Sequence, residues 1–144
     1  MKSLPAFPEV VVLALSTEAL EKVRRFEQEL RKTAQVDIPV ESILHAGIYA
    51  RTIKIPKGVV ITGALLQVPT ILQIAGNCIL NMGEEPVQIS GFACLKAEAG
   101  RKQIICALSD TYVTASFATR AETVEEAENE ATAEAEILTT RRKR

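Results

Sequence analysis

The sequence predicts an all-β body of jelly-roll sandwich or barrel type, with one amphipathic helix before it and one short helix after it. Three observations point there. From Gly47 to Ala118 the apolar residues recur with period two, the runs are broken roughly every ten residues by Gly, Pro, Asn or Asp, and both helical patterns fall outside this span. A chain of 144 residues, 47% of them apolar, can bury one sizeable core and is too short to make two. The expected organisation is an N-terminal arm and helix at 1–39, the body at 40–119, and an acidic helix with a basic tail at 120–144.

Pro5 and Pro8 make the first residues extended, and Glu9 to Leu15 reads as a strand or an apolar lead-in. Ser16 is a good N-cap, with Glu18 in the first turn favoured by the helix dipole. From Thr17 to about Lys32, Leu20, Val23, Phe26 or Glu27, and Leu30 step along one narrow face of a helix. Asp37 and Pro39 mark a loop before the run Val40 to Leu44.

In the segment Gly47 to Gly63, GIYARTIKIPKGVVITG, Tyr49, Arg51, Ile53 and Ile55 share one strand face, and Ile48, Ala50, Thr52 and Lys54 share the other. Pro56-Lys57-Gly58 is a corner between two strands. Further runs follow at Val59–Thr62, Ala64–Val68, Thr70–Ala75, Cys78–Leu80, Val87–Ile89, Phe92–Ala97, Gln103–Leu108 and Thr111–Ala118. After Arg120 the pattern changes. Thr123 and Glu126 have capping-box spacing, and a helix from Val124 to about Leu138 aligns Val124, Ala127, Ala131, Ala135 and Leu138 under a wall of glutamate, with seven between Glu122 and Glu136.

The charge balance excludes some function classes. A formal net charge of −1 gives no global basic excess of the kind that binds nucleic acid, and no specific nucleic-acid partner is expected. The basic end, Arg141, Arg142, Lys143 and Arg144, offers weak, salt-sensitive contacts to a partner surface. The apolar run Val10–Leu15 is too short for a signal-peptide core or a membrane span, so a soluble protein made in the cytoplasm, with no membrane partner, is expected. Cys78, Cys94 and Cys106 lie in apolar runs without a CxxC pair, which fits reduced thiols and not a zinc site.

The residues Gly47, Tyr49, Arg51, Ile55, Pro56, Gly58, Thr62 and Gly63 match, in order and without gaps, a pattern GxYxRxxxIPxGxxxTG. In that pattern the chain resembles the small cupin-like proteins carried by phages and prophages. The resemblance continues at Thr70–Gly76, at Ala99-Gly100-Arg101-Lys102, and from Asp110 to Glu130, covering roughly Val40 to Leu138. It implies a cupin-like jelly roll. Metal-binding members of that family place histidines on the strand after the TG and on the last strand. Here the corresponding residues are Leu66, Val68, Thr70 and Phe117, so no metal and no cofactor is expected, and the barrel mouth reads as filled with side chains.

Among candidate sites, His45 is the single histidine and has no nucleophile placed beside it by the pattern. Tyr49 and Arg51 could project together toward a ligand or partner chain; the plainer alternative is a packed tyrosine and an arginine paired with a glutamate. Arg101, Lys102 and Asp110 read as solvated turn residues, and the glutamates of 122–136 as a solvated helix face. No phosphate loop, GxSxG or HExxH is present. The resemblance then implies a non-enzymatic virion protein, a capsid cement or decoration subunit that contacts the major capsid protein and self-associates, most simply as a dimer. The alternatives are a cupin-type enzyme or small-ligand binder without the usual metal ligands, or another accessory virion or prophage protein.

Overall fold

The computed structural model describes residues 2–4, 11–82 and 85–138, so the tail residues Arg141, Arg142, Lys143 and Arg144 lie outside the described residues. Nine strands and two helices follow in chain order: β1 (Lys2–Ser3), β2 (Val11–Val12), α1 (Thr17–Arg31), β3 (Val40–His45), β4 (Ile48–Ile55), β5 (Val60–Thr62), β6 (Thr70–Met82), β7 (Glu85–Ala97), β8 (Ile104–Ala107), β9 (Thr111–Ala118) and α2 (Val124–Ala131). A short 3-10 turn spans Ala135–Ile137.

One hydrogen-bonded sheet folds over on itself. Its path runs β1-β7-β6-β9-β4-β3, while β8 and β5 branch from the far half of β6. The fold-over happens within β6. Residues Ile71–Ala75 pair with β9, and Cys78–Leu80 pair with β8. Between them Gly76 takes φ +138°, and a Cβ there would lie 2.7 Å from Thr111 Oγ1 and 2.8 Å from the Asp110 carbonyl, so only glycine fits. The adjoining Asn77 carbonyl accepts from the Leu108 and Ser109 N–H groups, and its Oδ1 accepts from the Gly91 N–H. Gly76-Asn77 and Gly91, which read as strand breaks, are therefore bends inside continuous strands.

The corner predicted at Pro56–Gly58 carries the chain between layers: β4 pairs with β9 and β3, whereas β5 pairs with β8. Asp110 caps it, its carboxylate accepting from the Lys57 N–H at 2.9 Å. The run Ala64–Val68 is not a strand. Its backbone is committed elsewhere, Leu66 N–H to the Arg101 carbonyl and Gln67 N–H to the Ala131 carbonyl at the end of α2.

The main core fills the fold between the layers with Val12, Ile55, Leu72, Ile74, Cys78, Leu80, Ile89, Leu95, Ile105 and Val113. A second cluster under α2 joins Tyr49, Phe117, Ala127 and Ala131. The arm belongs to the sheet as well, because β1 and β2 both add to β7 in parallel.

Both helices start where expected. Ser16 Oγ accepts from Ala19 N–H, and Thr123 Oγ1 accepts from Glu126 N–H. Helix α1 buries Ala19, Val23 and Glu27 while Phe26 stays 38% exposed, so the stripe turns toward a charged residue. Helix α2 stops at Ala131, short of Leu138. Thr132 turns extended, and its hydroxyl donates to the Leu65 carbonyl. None of the described helices is long and apolar enough to cross a membrane.

Candidate functional site

The inward faces of β4, β5, β6, β8 and β9 do not close on one another. They leave a cavity of about 300 Å³, roofed by the end of α1 with the 33–38 loop, and walled on one side by α2. The strand alternation decides what enters it. Tyr49, Arg51 and Ile53 come from β4, Val113 and Ala115 from β9, and Leu72 from β6, while Arg101, Gln103 and Ile105 approach along the segment leading into β8. The barrel that the sequence reads as filled is open inside, with Leu66 and Ala115 among the residues that line the space. Apolar walls with a few converging polar groups, in a volume near the lower end for ligand sites, are the hallmarks of a small-molecule pocket.

The polar groups are arranged in two sets. On one side Arg51 stands 3.6 Å from Glu128, whose side chain is wholly removed from solvent. Tyr49, beside it on the same face, is 2% exposed; its ring meets Phe117 edge-on at 5.5 Å and its hydroxyl shares a hydrogen bond with Ser42 Oγ. Such an aromatic pair contributes about 1 kcal/mol beyond its buried area. On the other side Arg101 reaches in from the bridge with Leu66, its Nη1 donating to the Glu98 carbonyl and its Nη2 to Thr70 Oγ1.

Beneath the roof lies a chain of charges. Lys102 Nζ is 2.9 Å from Glu27 Oε2 and 3.1 Å from Glu134 Oε2, with its side chain fully buried. Glu27 also accepts from Thr62 Oγ1 and pairs with Arg31, and Glu134 pairs with Arg24 and accepts from the Leu65 N–H. Burial pushes the Glu134 carboxyl up, but the Leu65 N–H together with the Lys102 and Arg24 cations outweighs it and holds the group below its ordinary value. This network joins α1 to the body, beside the buried apolar residues Ala19 and Val23.

Several expectations are corrected here. Arg101 and Lys102 are not solvated turn residues; they are 1% and 0% exposed. The glutamates of 122–136 are not a uniform solvated face, since Glu128 is buried against Arg51, Glu134 is engaged by Lys102, and Glu130 accepts from Thr119 Oγ1. Tyr49 and Arg51 both line the cavity, while His45 sits exposed at the end of β3 on the opposite face of the sheet. Sequence reasoning gave Gln103 no role beyond opening a strand run and placed Glu128 only within a solvated glutamate face. The alternation Arg101, Gln103, Ile105 was the available signal, hidden by the turn residues Gly100 and Lys102.

Cupin folds commonly hold a transition metal, and the residues here do not fit one. No group of three or more His, Cys, Asp or Glu side chains able to hold a metal occurs among the described residues. At the expected ligand positions Leu66 lines the cavity, Val68 and Phe117 pack in the cluster under α2, and Thr70 serves as acceptor to Arg101.

The sequence matches no protein-family model and resembles no curated protein. Solved structures do share its fold. One is a cupin superfamily protein from Desulfitobacterium hafniense DCB-2, with a TM-score of 0.50, 8% identity, and coverage of 60% of this chain and 82% of that one. Another is salicylate 1,2-dioxygenase from Pseudoaminobacter salicylatoxidans, with a TM-score of 0.51 and 11% identity; it covers 83% of this chain, which spans only 37% of the dioxygenase. At these identities the likeness shows the fold alone, a mostly β, cupin-like sandwich with two helices.

Proposed function

We propose that this protein binds a small organic molecule in the interior of its cupin-like barrel, without a metal and without transforming it. The observation that carries this reading is the 300 Å³ cavity itself, with Ile53, Leu72 and Val113 as apolar wall and Arg51, Glu128, Arg101 and Gln103 converging on it. Its described lining contains no Cys, His or Ser, so a Ser–His or Cys–His nucleophile and base pair has no members there. The buried ion pairs would fix the polar walls before a ligand arrives, so little ordering would be spent on binding. Ligand-observed NMR with a library of small fragments tests this directly. Fragments should bind the wild-type protein and lose binding in an Ala115→Phe variant that fills the cavity and still melts cooperatively. Equal binding by both proteins, or none by either, would refute the reading.

A second reading has its own observation. On the outer face of the sheet Ile43, Ile48, Ile71, Phe92 and Tyr112 are all between 48% and 54% exposed. Strand register sets them in rows, Ile43-Ala50-Ser116-Ile71 and Tyr112-Ala75-Phe92, with Lys54, Lys96, Glu41 and His45 at the margins. A flat face of short and apolar side chains rimmed by charge suits protein contact. It supports an assembly role, of which the virion reading is the specific form: a cement or decoration subunit on a capsid protein, or a self-associated dimer. Mass spectrometry of purified particles with copy-number estimation decides this. A copy number near that of the shell protein is the expected result, and absence from particles would end the proposal.

A further inference from the structure

Three cations lie in or beside the cavity, Arg101 and Lys102 buried and Arg51 partly buried, and they differ in one respect. Lys102 faces Glu27 and Glu134, and Arg51 faces Glu128. Arg101, although 1% exposed, takes part in none of the ion pairs among the described residues. Its hydrogen bonds end on neutral oxygens, the Glu98 carbonyl and Thr70 Oγ1. Burial lowers its pKa to about 10, with the Glu98 charge opposing, which leaves it cationic at neutral pH.

A buried cation without a counter-ion is costly, and so is a buried donor without an acceptor. Arg101 Nε is such a donor. The only other side-chain nitrogen or oxygen buried without a partner among the described residues is Gln103 Nε2, two positions along the same cavity wall. Two unsatisfied N–H groups on one wall, one of them on a buried cation that no carboxylate among the described residues contacts within 4 Å, call for a negatively charged group with two acceptor oxygens. Around them the wall is apolar, with Leu72, Ile105 and Val113. We infer that the ligand of this cavity is a small organic carboxylate with an apolar body, its carboxylate accepting from Arg101 Nε–H and Gln103 Nε2–H. This deepens the small-ligand reading and rests on it. A carboxylate there supplies a direct ion pair, which the more distant Glu98 charge does not, and satisfies both donors, while the hydrocarbon part displaces water from the apolar wall.

Matched acids and amides test the inference without any variant: 3-methylbutanoate and benzoate against 3-methylbutanamide and benzamide, measured by calorimetry at pH 7. The acids should bind at least about tenfold more tightly than their amides, as expected for a hydrogen bond to a charged partner. Gln103→Leu should weaken acid binding about threefold to tenfold through loss of one hydrogen bond. Arg101→Met should abolish the preference for acid over amide. If Arg101→Met does not fold, the acid and amide affinities of the wild type and of Gln103→Leu still decide. Amides binding as well as acids, or Gln103→Leu binding the acids unchanged, would overturn the carboxylate assignment. Neutral fragments that bind in an Ala115-dependent way while the acids do not would overturn it too, and leave the cavity reading standing. Absence of binding by acids, amides and neutral fragments together would overturn both.

Discussion

Lys102 Nζ lies 2.9 Å from Glu27 Oε2, and this contact fastens helix α1 over the barrel mouth. Neither group is free to leave its partner at low cost, because the lysine side chain is fully buried and the glutamate only 11% exposed. Truncating one member leaves the other buried with fewer partners, Lys102 with Glu134 alone or Glu27 with Arg31 and Thr62. Lys102→Met should therefore destabilise the protein by about 3–5 kcal/mol in urea unfolding, whereas the double variant Lys102→Met with Glu27→Leu should lose appreciably less. Additive losses would show that the pair is not the fastening.

Gly76 and Gly91 both have positive φ, yet they should respond differently to alanine. A Cβ at Gly91 meets nothing within 4 Å, so Gly91→Ala costs only backbone strain of about 1–2 kcal/mol. At Gly76 the Cβ collides with Thr111 and the Asp110 backbone, at the point where β6 passes from β9 to β8. Gly76→Ala should cost about 4 kcal/mol or more, or prevent folding. Equal melting temperatures for the two variants would contradict the bend.

The acid limb of stability should depend on Glu134. Its folded-state pKa lies below the ordinary value, so its ionisation contributes stability at neutral pH, and that contribution falls away as pH drops through and below the ordinary glutamate value of about 4.3. Thermal melts between pH 7 and pH 3 should fall less steeply in Glu134→Gln than in the wild type. Parallel profiles would mean that the Lys102 and Arg24 contacts do not act on this carboxylate.

The three thiols should separate by reactivity. Cys94 is exposed on the outer face of β7, whereas Cys78 is fully buried and its pKa is raised to about 11 by burial, with the Cys106 thiol adding to the shift. Alkylation of the native protein at pH 8 should modify Cys94 first and leave Cys78 untouched until unfolding. Early modification of Cys78 would show that β6 opens.

What was legible in the sequence was what period and punctuation encode. Strand alternation placed Tyr49 and Arg51 on one face, Pro56–Gly58 gave the corner, and Ser16 and Thr123 gave both helix starts, because each rests on local chemistry. The merging of two runs into β6 was not legible, since Gly76 and Asn77 form a bend as readily as a break, and their partners Thr111 and Gly91 are distant in sequence. The cavity was hidden for a similar reason. Whether small side chains leave a space depends on which strands face each other, and Arg101 and Lys102 look like turn residues until the chain closes Leu66 and α1 over them.

Whether the interior is a binding site can be read most directly by methyl NMR, because the isoleucines divide between the two faces. Ile53, Ile61, Leu72 and Val113 line the cavity, while Ile43, Ile48 and Ile71 point outward. On titration with benzoate, shifts should concentrate in the first group and vanish in Ala115→Phe. Shifts confined to Ile43, Ile48 and Ile71, or none at saturating concentration, would contradict a ligand site inside the barrel.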